Sequence, residues 1–258
     1  MKPSKITALT VAGFDPSGGA GISADLRVFQ SYGLLGISVV SAITAQNSQG
    51  VRLVSGVTVD IFEAQLRTLF EDIIPDAVKI GMLYSVEIVK SLCRIIKEYG
   101  LRNIVIDPVI SSSSGLSLAL EGVADAIFDR LFPLASIVIP NIEEAEYFCK
   151  REIKTISDMK EAALKMTSMG IGCVIITGGH LDKEAVDIFY DRTQFEQISS
   201  NKYQGQFHGT GCAFSSAVAA NLGLGHSKVE AFISAKESIE RAIKTSYKIG
   251  KGMSFLNI

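Results

Sequence analysis

Short runs of apolar, β-branched residues alternate along the chain with longer stretches whose apolar side chains recur every three to four positions. The first pattern marks buried strands and the second amphipathic helices. Residues 6–12 read as a buried strand, followed by the turn-rich Asp15-Pro16-Ser17-Gly18-Gly19-Ala20-Gly21. Helical spacing covers 23–32, where Leu26, Phe29 and Gln30 place apolar and polar groups on different faces. A second strand covers 37–45, and Asp60 is placed to cap a helix running to about Ile74. A strand at 77–80 and a helix at 86–99, ending before Gly100, come next. Further strands at 104–106, 137–139 and 174–177 run into Asp107-Pro108, Pro140-Asn141 and Gly178-Gly179. Residues 185–191 and 195–199 predict a hairpin, and the tail from Ala213 onward two or three helices, the longest from 228 to about 247.

Apolar strands separated by helices predict an α/β fold with a mostly parallel sheet and helices on both faces. The hairpin predicts a small antiparallel addition near one sheet edge. No linker, low-complexity tract or internal repeat interrupts the pattern, so residues 1–258 are expected to form a single domain.

Composition narrows the function. With 258 residues, 47% of them hydrophobic, the chain can bury a core without disulfide or metal staples. The 25 Lys and Arg are spread among 27 Asp and Glu, leaving a formal charge of -2 and no basic stripe, which argues against a nucleic-acid partner. Cys93, Cys149, Cys173 and Cys212 lie far apart without zinc or CxxC spacing, and His180, His208 and His226 form no ligand pair. The apolar stretch after Met1-Lys2-Pro3-Ser4-Lys5 breaks at Gly13 and Asp15, too soon for a signal peptide or membrane span. The expectation is a soluble, cytoplasmic protein with no membrane partner.

Ligands of open α/β sheets bind beyond the carboxyl ends of the strands. Unusual residues gather there: the Asp15 to Gly21 loop, Gln46-Asn47, Gly81-Met82, Asp107-Pro108, Asn141 to Glu144 and Thr177 to His180. Any one is an ordinary turn; together on one rim they predict a site. The sharpest segment is His208-Gly209-Thr210-Gly211-Cys212, ahead of a helical run from Ala213 to Leu222. Glycines before a helix let backbone N–H groups converge on an anion, with the helix dipole favouring negative charge. A phosphoryl group in flight carries such charge. No GxxxxGK[ST] loop occurs, so this is not a P-loop enzyme.

At a helix N-terminus the Cys212 thiol is expected to be acidified, a usable base for a substrate hydroxyl. The alternative is a small buried cysteine, the reading preferred for Cys93, Cys149 and Cys173. In Asn141-Ile142-Glu143-Glu144 a carboxylate is placed to hold water on Mg²⁺, or simply to complete a helix cap. Asp107, at a neighbouring strand end, offers a second carboxylate.

Ala12-Gly13-Phe14-Asp15-Pro16-Ser17-Gly18-Gly19-Ala20-Gly21 with Ala24-Asp25-Leu26 resembles the opening signature of hydroxymethylpyrimidine/phosphomethylpyrimidine kinases, in the ribokinase-like superfamily. Ala45-Gln46-Asn47, Lys79 to Leu83, Asp107-Pro108-Val109, Pro140-Asn141, Gly178 to Leu181, His208 to Cys212 and Gly250-Lys251-Gly252 follow in that family's order, over nearly the whole chain. The Cys-terminated GTG turn adds specificity, since most ribokinase relatives carry Asp where Cys212 stands.

The resemblance implies a three-layer α/β/α fold, a homodimer, and ATP with Mg²⁺. It implies an aminopyrimidine substrate hydrogen-bonded by Asp25 and Gln46, with Gly13, Met82 and Val109 lining the ring pocket. Cys212 would be the base, Gly209 and Gly211 would shape the anion hole, and Asp107 and Glu144 would sit near the metal. Thr177, Gly179 and Thr210 would lie on the nucleotide side. Three departures stand out: Ser113 replaces a usual lysine and Leu116 a polar residue, Phe14 replaces a small residue, and Tyr203 to Phe207 alters the approach to HGTGC. The expected activity is phosphorylation of 4-amino-5-hydroxymethyl-2-methylpyrimidine or its monophosphate. Pyridoxal kinase and a catalytically weak pyrimidine-binding protein are the alternatives.

Overall fold

The computed structural model describes residues 5–111, 116, 118–179 and 185–258. In chain order, β1 (Thr7–Phe14), α1 (Gly21–Ser31), β2 (Leu35–Asn47), β3 (Gly50–Gly56), α2 (Val59–Phe70), β4 (Ala77–Ile80), α3 (Val86–Tyr99) and β5 (Ile104–Ile106) form the first half. The second half comprises α4 (Val123–Ala126), β6 (Ile137–Val138), α5 (Ile142–Cys149), α6 (Ile156–Ser168), β7 (Val174–Gly178), β8 (Ala185–Tyr190) and β9 (Phe195–Ser200). It closes with β10 (Phe207–His208), α7 (Thr210–Gly223), α8 (Lys228–Lys244) and β11 (Ser254–Phe255).

Nine strands make one sheet in the order β3-β2-β1-β4-β5-β6-β7-β8-β9. Pairing from β2 through β7 is parallel, whereas β3, β8 and β9 pair antiparallel. The β8–β9 hairpin is the expected edge addition. The second addition, β3, was not expected, because an edge strand with exposed Arg52 and Leu53 shows no buried run.

Strand alternation sorts the two faces. Leu9 and Val11 of β1 and Val78 and Ile80 of β4 join the apolar side chains of α2, α3, α5 and α6 in one core. Ala8 and Val105 face the opposite core with Phe29 of α1, Phe214 of α7 and Phe232 of α8. This is the three-layer α/β/α arrangement. Helix α7 is buried along almost its whole length, sandwiched between the sheet, α1 and α8.

Local chemistry sets the helix ends, and moves one of them. The Thr58 hydroxyl, not Asp60, caps α2 by accepting from the Ile61 N–H at 3.4 Å; Asp60 lies in the first turn, where the dipole favours its charge. That helix stops at Phe70, short of Ile74, where Pro75 disfavours helical backbone. Gly100, at φ 62°, ends α3 where expected. Two helices occupy the tail, and beyond them β11 pairs with β10 instead of forming a third helix.

Candidate active site

Strand order reverses at the β1–β4 boundary, with β2 on one side of β1 and β4 on the other. The crevice beyond the carboxyl ends of these strands is where such sheets bind ligands. A cleft of about 230 Å³ opens there. Gly13, Gln46, Met82, Asp107, Val109, Glu144, Gly209, Thr210, Gly211 and Cys212, all singled out in the sequence, line it together. Phe14, 39% exposed, stands at its margin.

Three predicted site residues do not line it. Asp25 is wholly buried, and its carboxylate accepts from the Thr10 hydroxyl at 2.6 Å, the Ser216 hydroxyl at 2.7 Å and Lys79 Nζ at 3.0 Å. The structure therefore places Asp25 inside the core beneath the cleft, bonded to Thr10, Ser216 and Lys79 rather than facing the space a substrate would fill. Thr177 and Gly179 sit one strand further out: the Thr177 N–H donates to the Pro140 carbonyl at 3.0 Å and its residue bridges Asn141. His180, Leu181 and Ser113 lie outside the described residues, as does most of the Ser111 to Ser114 run read as a mobile lid.

The α7 N-terminus is built for an anion. Gly209, its N-cap, has φ 77°, and a Cβ there would drive into the Gly19 carbonyl, so glycine is required. No side chain caps this end, and the first turn carries no acid. A Cβ at Gly211 would meet no protein atom within 4 Å. Gly211 thus borders open cleft, and the first N–H groups of α7 have no intrahelical partner, an arrangement suited to an anion.

Beneath this turn is a charged cluster. Lys79 interrupts the apolar run of β4, and strand alternation turns it away from Val78 and Ile80, toward α1 and α7. Its register partner on β1 is Thr10. Burial opposes its charge, but Asp25 at 3.0 Å, with Asp107 at 3.9 Å, holds it protonated beyond its ordinary range. Ser215 ties α7 to Asp107 at 2.9 Å, and Ser216 ties it to Asp25.

Burial pushes the Cys212 thiol up to about 12, with Lys79 opposing and Asp107 and Asp25 reinforcing the rise. That corrects the expectation of an acidified thiol: desolvation raises it despite its place at the start of α7. Burial also raises the Asp107 carboxyl, partly offset by Lys79 and Ser215. Glu144 is raised well above the usual carboxylate value by burial and by Asp107. It also completes the capping box of α5, accepting from the Asn141 N–H at 2.9 Å, so its capping and acidic readings coexist. Among the described residues no group of three or more His, Cys, Asp or Glu is gathered for a metal. Asp107 and Glu144 offer hard carboxylate oxygens of the kind Mg²⁺ takes while keeping most of its waters, provided both are ionised.

The opposite end of the cleft is polar and hydrogen-bonded. His208 Nε2 lies 2.9 Å from Asp15 Oδ2 and 3.2 Å from Gln46 Nε2. The C-terminal tail closes this end: the Met253 N–H donates to the Ser48 carbonyl at 2.8 Å, and Met253 reaches the cleft wall. Lys79, His208, Asp15, Thr44 and Met253 were not assigned roles from sequence. A lysine inside an apolar strand is itself a signal that finds Lys79; for Met253, 41 residues beyond Cys212, there is none.

A family model described as phosphomethylpyrimidine kinase matches residues 15–257. The chain belongs to the phosphomethylpyrimidine kinase family. It is 39% identical over 252 residues to the hydroxymethylpyrimidine/phosphomethylpyrimidine kinase of Aquifex aeolicus, covering 97% of this chain and 99% of that one. The phosphomethylpyrimidine kinase of Clostridium difficile 630 superposes with a TM-score of 0.83 at 41% identity, over 93% of this chain and 100% of that one. The pyridoxal kinase from Staphylococcus aureus in complex with AMP-PCP and pyridoxal superposes at 0.90 with 34% identity, over 98% and 93%. Members of the phosphomethylpyrimidine kinase family are kinases, and ATP is the phosphate donor the family implies. No described helix is long and apolar enough to cross a membrane.

Proposed function

We propose that this chain phosphorylates the hydroxymethyl group of 4-amino-5-hydroxymethyl-2-methylpyrimidine, its monophosphate, or both, from ATP in thiamine biosynthesis. The observation that carries this is the junction, in one cleft, of the open turn at Gly211, the Cys212 thiol and the Gln46 amide. Family membership supplies the reaction class. Asp107 and Glu144 would hold Mg²⁺, which neutralises phosphate charge when bound. Thr210, Thr177 and Gly179 are assigned to the nucleotide side.

Gln46, Met82, Val109 and Gly13 hold the ring so that its hydroxymethyl group faces Cys212. Cys212 acts in its thiolate form, taking the hydroxyl proton as the oxygen attacks the γ-phosphorus in line, the bond to the β,γ-bridging oxygen breaks and ADP leaves. Lys79 favours that thiolate, and the N–H groups of the Gly209 to Cys212 turn meet the charge that develops on the phosphoryl oxygens. A homodimer and a cytoplasmic setting complete the reading. The β2–β3 hairpin exposes Ile43 at 53% and Leu53 at 58% for a second copy, and the cysteines are unpaired.

Pyridoxal phosphorylation is the second reading, motivated by the likeness to the Staphylococcus aureus enzyme and by Phe14 at the cleft margin. Purified protein offered the pyrimidine, its monophosphate and pyridoxal in parallel with Mg-ATP decides. Turnover of either pyrimidine well above pyridoxal is expected. Turnover of pyridoxal alone reassigns the protein to vitamin B6 salvage, and tight pyrimidine binding without turnover makes it a binding protein.

A further inference from the structure

Asp15 accepts from the Ser17 N–H at 2.8 Å, the Ser17 hydroxyl at 2.8 Å and the Ala20 N–H at 2.9 Å, beside His208 Nε2 at 2.9 Å. Burial alone would raise its carboxyl, yet the bonds from His208 and Ser17 hold it below the ordinary value. An ionised carboxylate only accepts, so a proton sits on His208 Nε2. That proton repels an amide N–H of Gln46, 3.2 Å away, and attracts an amide oxygen. The other flank of Gln46 accommodates the same orientation. The Thr44 hydroxyl has one proton for two acceptors, the Phe14 carbonyl at 3.0 Å and the Gln46 Oε1 that faces it at 3.2 Å; given to the carbonyl, that proton leaves an oxygen able to accept from a Gln46 N–H once the amide is turned. One orientation of the amide satisfies both flanks: oxygen toward His208, nitrogen toward Thr44.

The geometry points to His208, held by Asp15, as the positioning residue that fixes the Gln46 amide in this one orientation and so dictates which ring edge the cleft accepts. One lone pair and one N–H of Gln46 remain for a ligand, in a set order. A 4-aminopyrimidine offers a ring-nitrogen acceptor beside an amino donor. Its 4-oxo analogue offers the reverse, a ring N–H beside a carbonyl, which only the turned amide could match. His208 thereby separates amino from oxo pyrimidines without touching either. This inference rests on the proposed pyrimidine reading.

The test is calorimetric binding of 4-amino-5-hydroxymethyl-2-methylpyrimidine and of 5-hydroxymethyl-2-methylpyrimidin-4-one to the wild type, H208F and T44V. The H208F ring preserves the packing against Phe255, whose ring lies 5.8 Å from that of His208. Thr44→Val is close to isosteric and guards against loss of fold in the first variant. The wild type is expected to favour the amino ring by on the order of 100-fold or more, because the wrong ring leaves buried polar groups unpaired. In H208F that ratio should collapse to about tenfold or less, chiefly because the oxo ring binds better; T44V should move it the same way by less. A gain for the wrong ring is not something structural damage produces. An unchanged ratio in both variants, or equal losses for both rings, overturns the inference while leaving the kinase reading intact. A wild type that binds neither pyrimidine overturns both.

Discussion

Both ends of the cleft are walled by buried polar groups, but their charges are balanced in opposite ways. At the Asp15–His208 end the Asp15 carboxylate is held by Ser17, Ala20 and His208, and its carboxyl lies below its ordinary pKa. At the Asp107–Glu144 end burial drives both carboxyls up, and the Cys212 thiol beside them rises to about 12. The first end is complete as folded, which suits recognition of a neutral ring by shape and hydrogen-bond order. The second holds more negative charge than its surroundings favour, which suits a place where a cation and a phosphoryl group arrive together.

The largest expected effect lies at the unbalanced end. Cys212→Ala should lower kcat by about 10²–10⁴-fold while leaving the pyrimidine Kd nearly unchanged. Because the thiol sits far above neutrality, wild-type kcat/KM should climb with pH through the neutral range as the thiolate fraction grows, and the variant should lose that slope. Equal activity, or an equal slope, removes Cys212 as the base.

Glu144→Gln sharpens the comparison, since it removes a strained charge but keeps an oxygen for the Asn141 N–H. The folded pKa of Glu144 lies above its unfolded value, so its contribution to stability is present at low pH and lost as pH rises through the folded value. At pH 8 the variant should therefore melt a few degrees higher, about 2–4 °C per kcal/mol relieved. Its Mg²⁺-supported kcat should fall roughly 10–100-fold. A variant that melts lower shows that the carboxylate is not strained.

Asp15→Asn tests the balanced end and should act in the opposite sense. An amide cannot keep all the bonds that Asp15 accepts, so melting at neutral pH should drop by roughly 5 °C. The sign of the pH dependence also reverses. The folded pKa of Asp15 is depressed, so its stabilisation is present above about pH 4, the unfolded value, and lost as pH falls through the folded one. Melting curves of the two proteins should converge in acid; a gap that widens there breaks the comparison.

Much of the fold was legible because buried parallel strands announce themselves as apolar runs. Strand β4, helix α3 and strand β5 lie where the hydrophobic pattern puts them. Strand β3 was invisible, since it is half exposed and owes its existence to β2 alongside it. Most of the cleft was legible as well, because glycine turns and polar residues at strand ends are chemically conspicuous. Asp25 shows the limit. Its place in the opening motif suggested a ligand, but only the packing of α1 against β4 and α7 reveals that Thr10, Ser216 and Lys79 bond its carboxylate inside the core.

The sequence by itself determined the strand–helix alternation, the rim of unusual strand ends and the glycine turn before α7, because these depend on residues near one another in the chain. Tertiary structure alone decided the protonation of Cys212, the service of Asp25 to Lys79 and the grip of His208 on Gln46. Each joins groups far apart in sequence; His208 and Asp15 stand 193 positions apart. Burial and the charges around a group set its chemistry, and neither exists until the chain has folded.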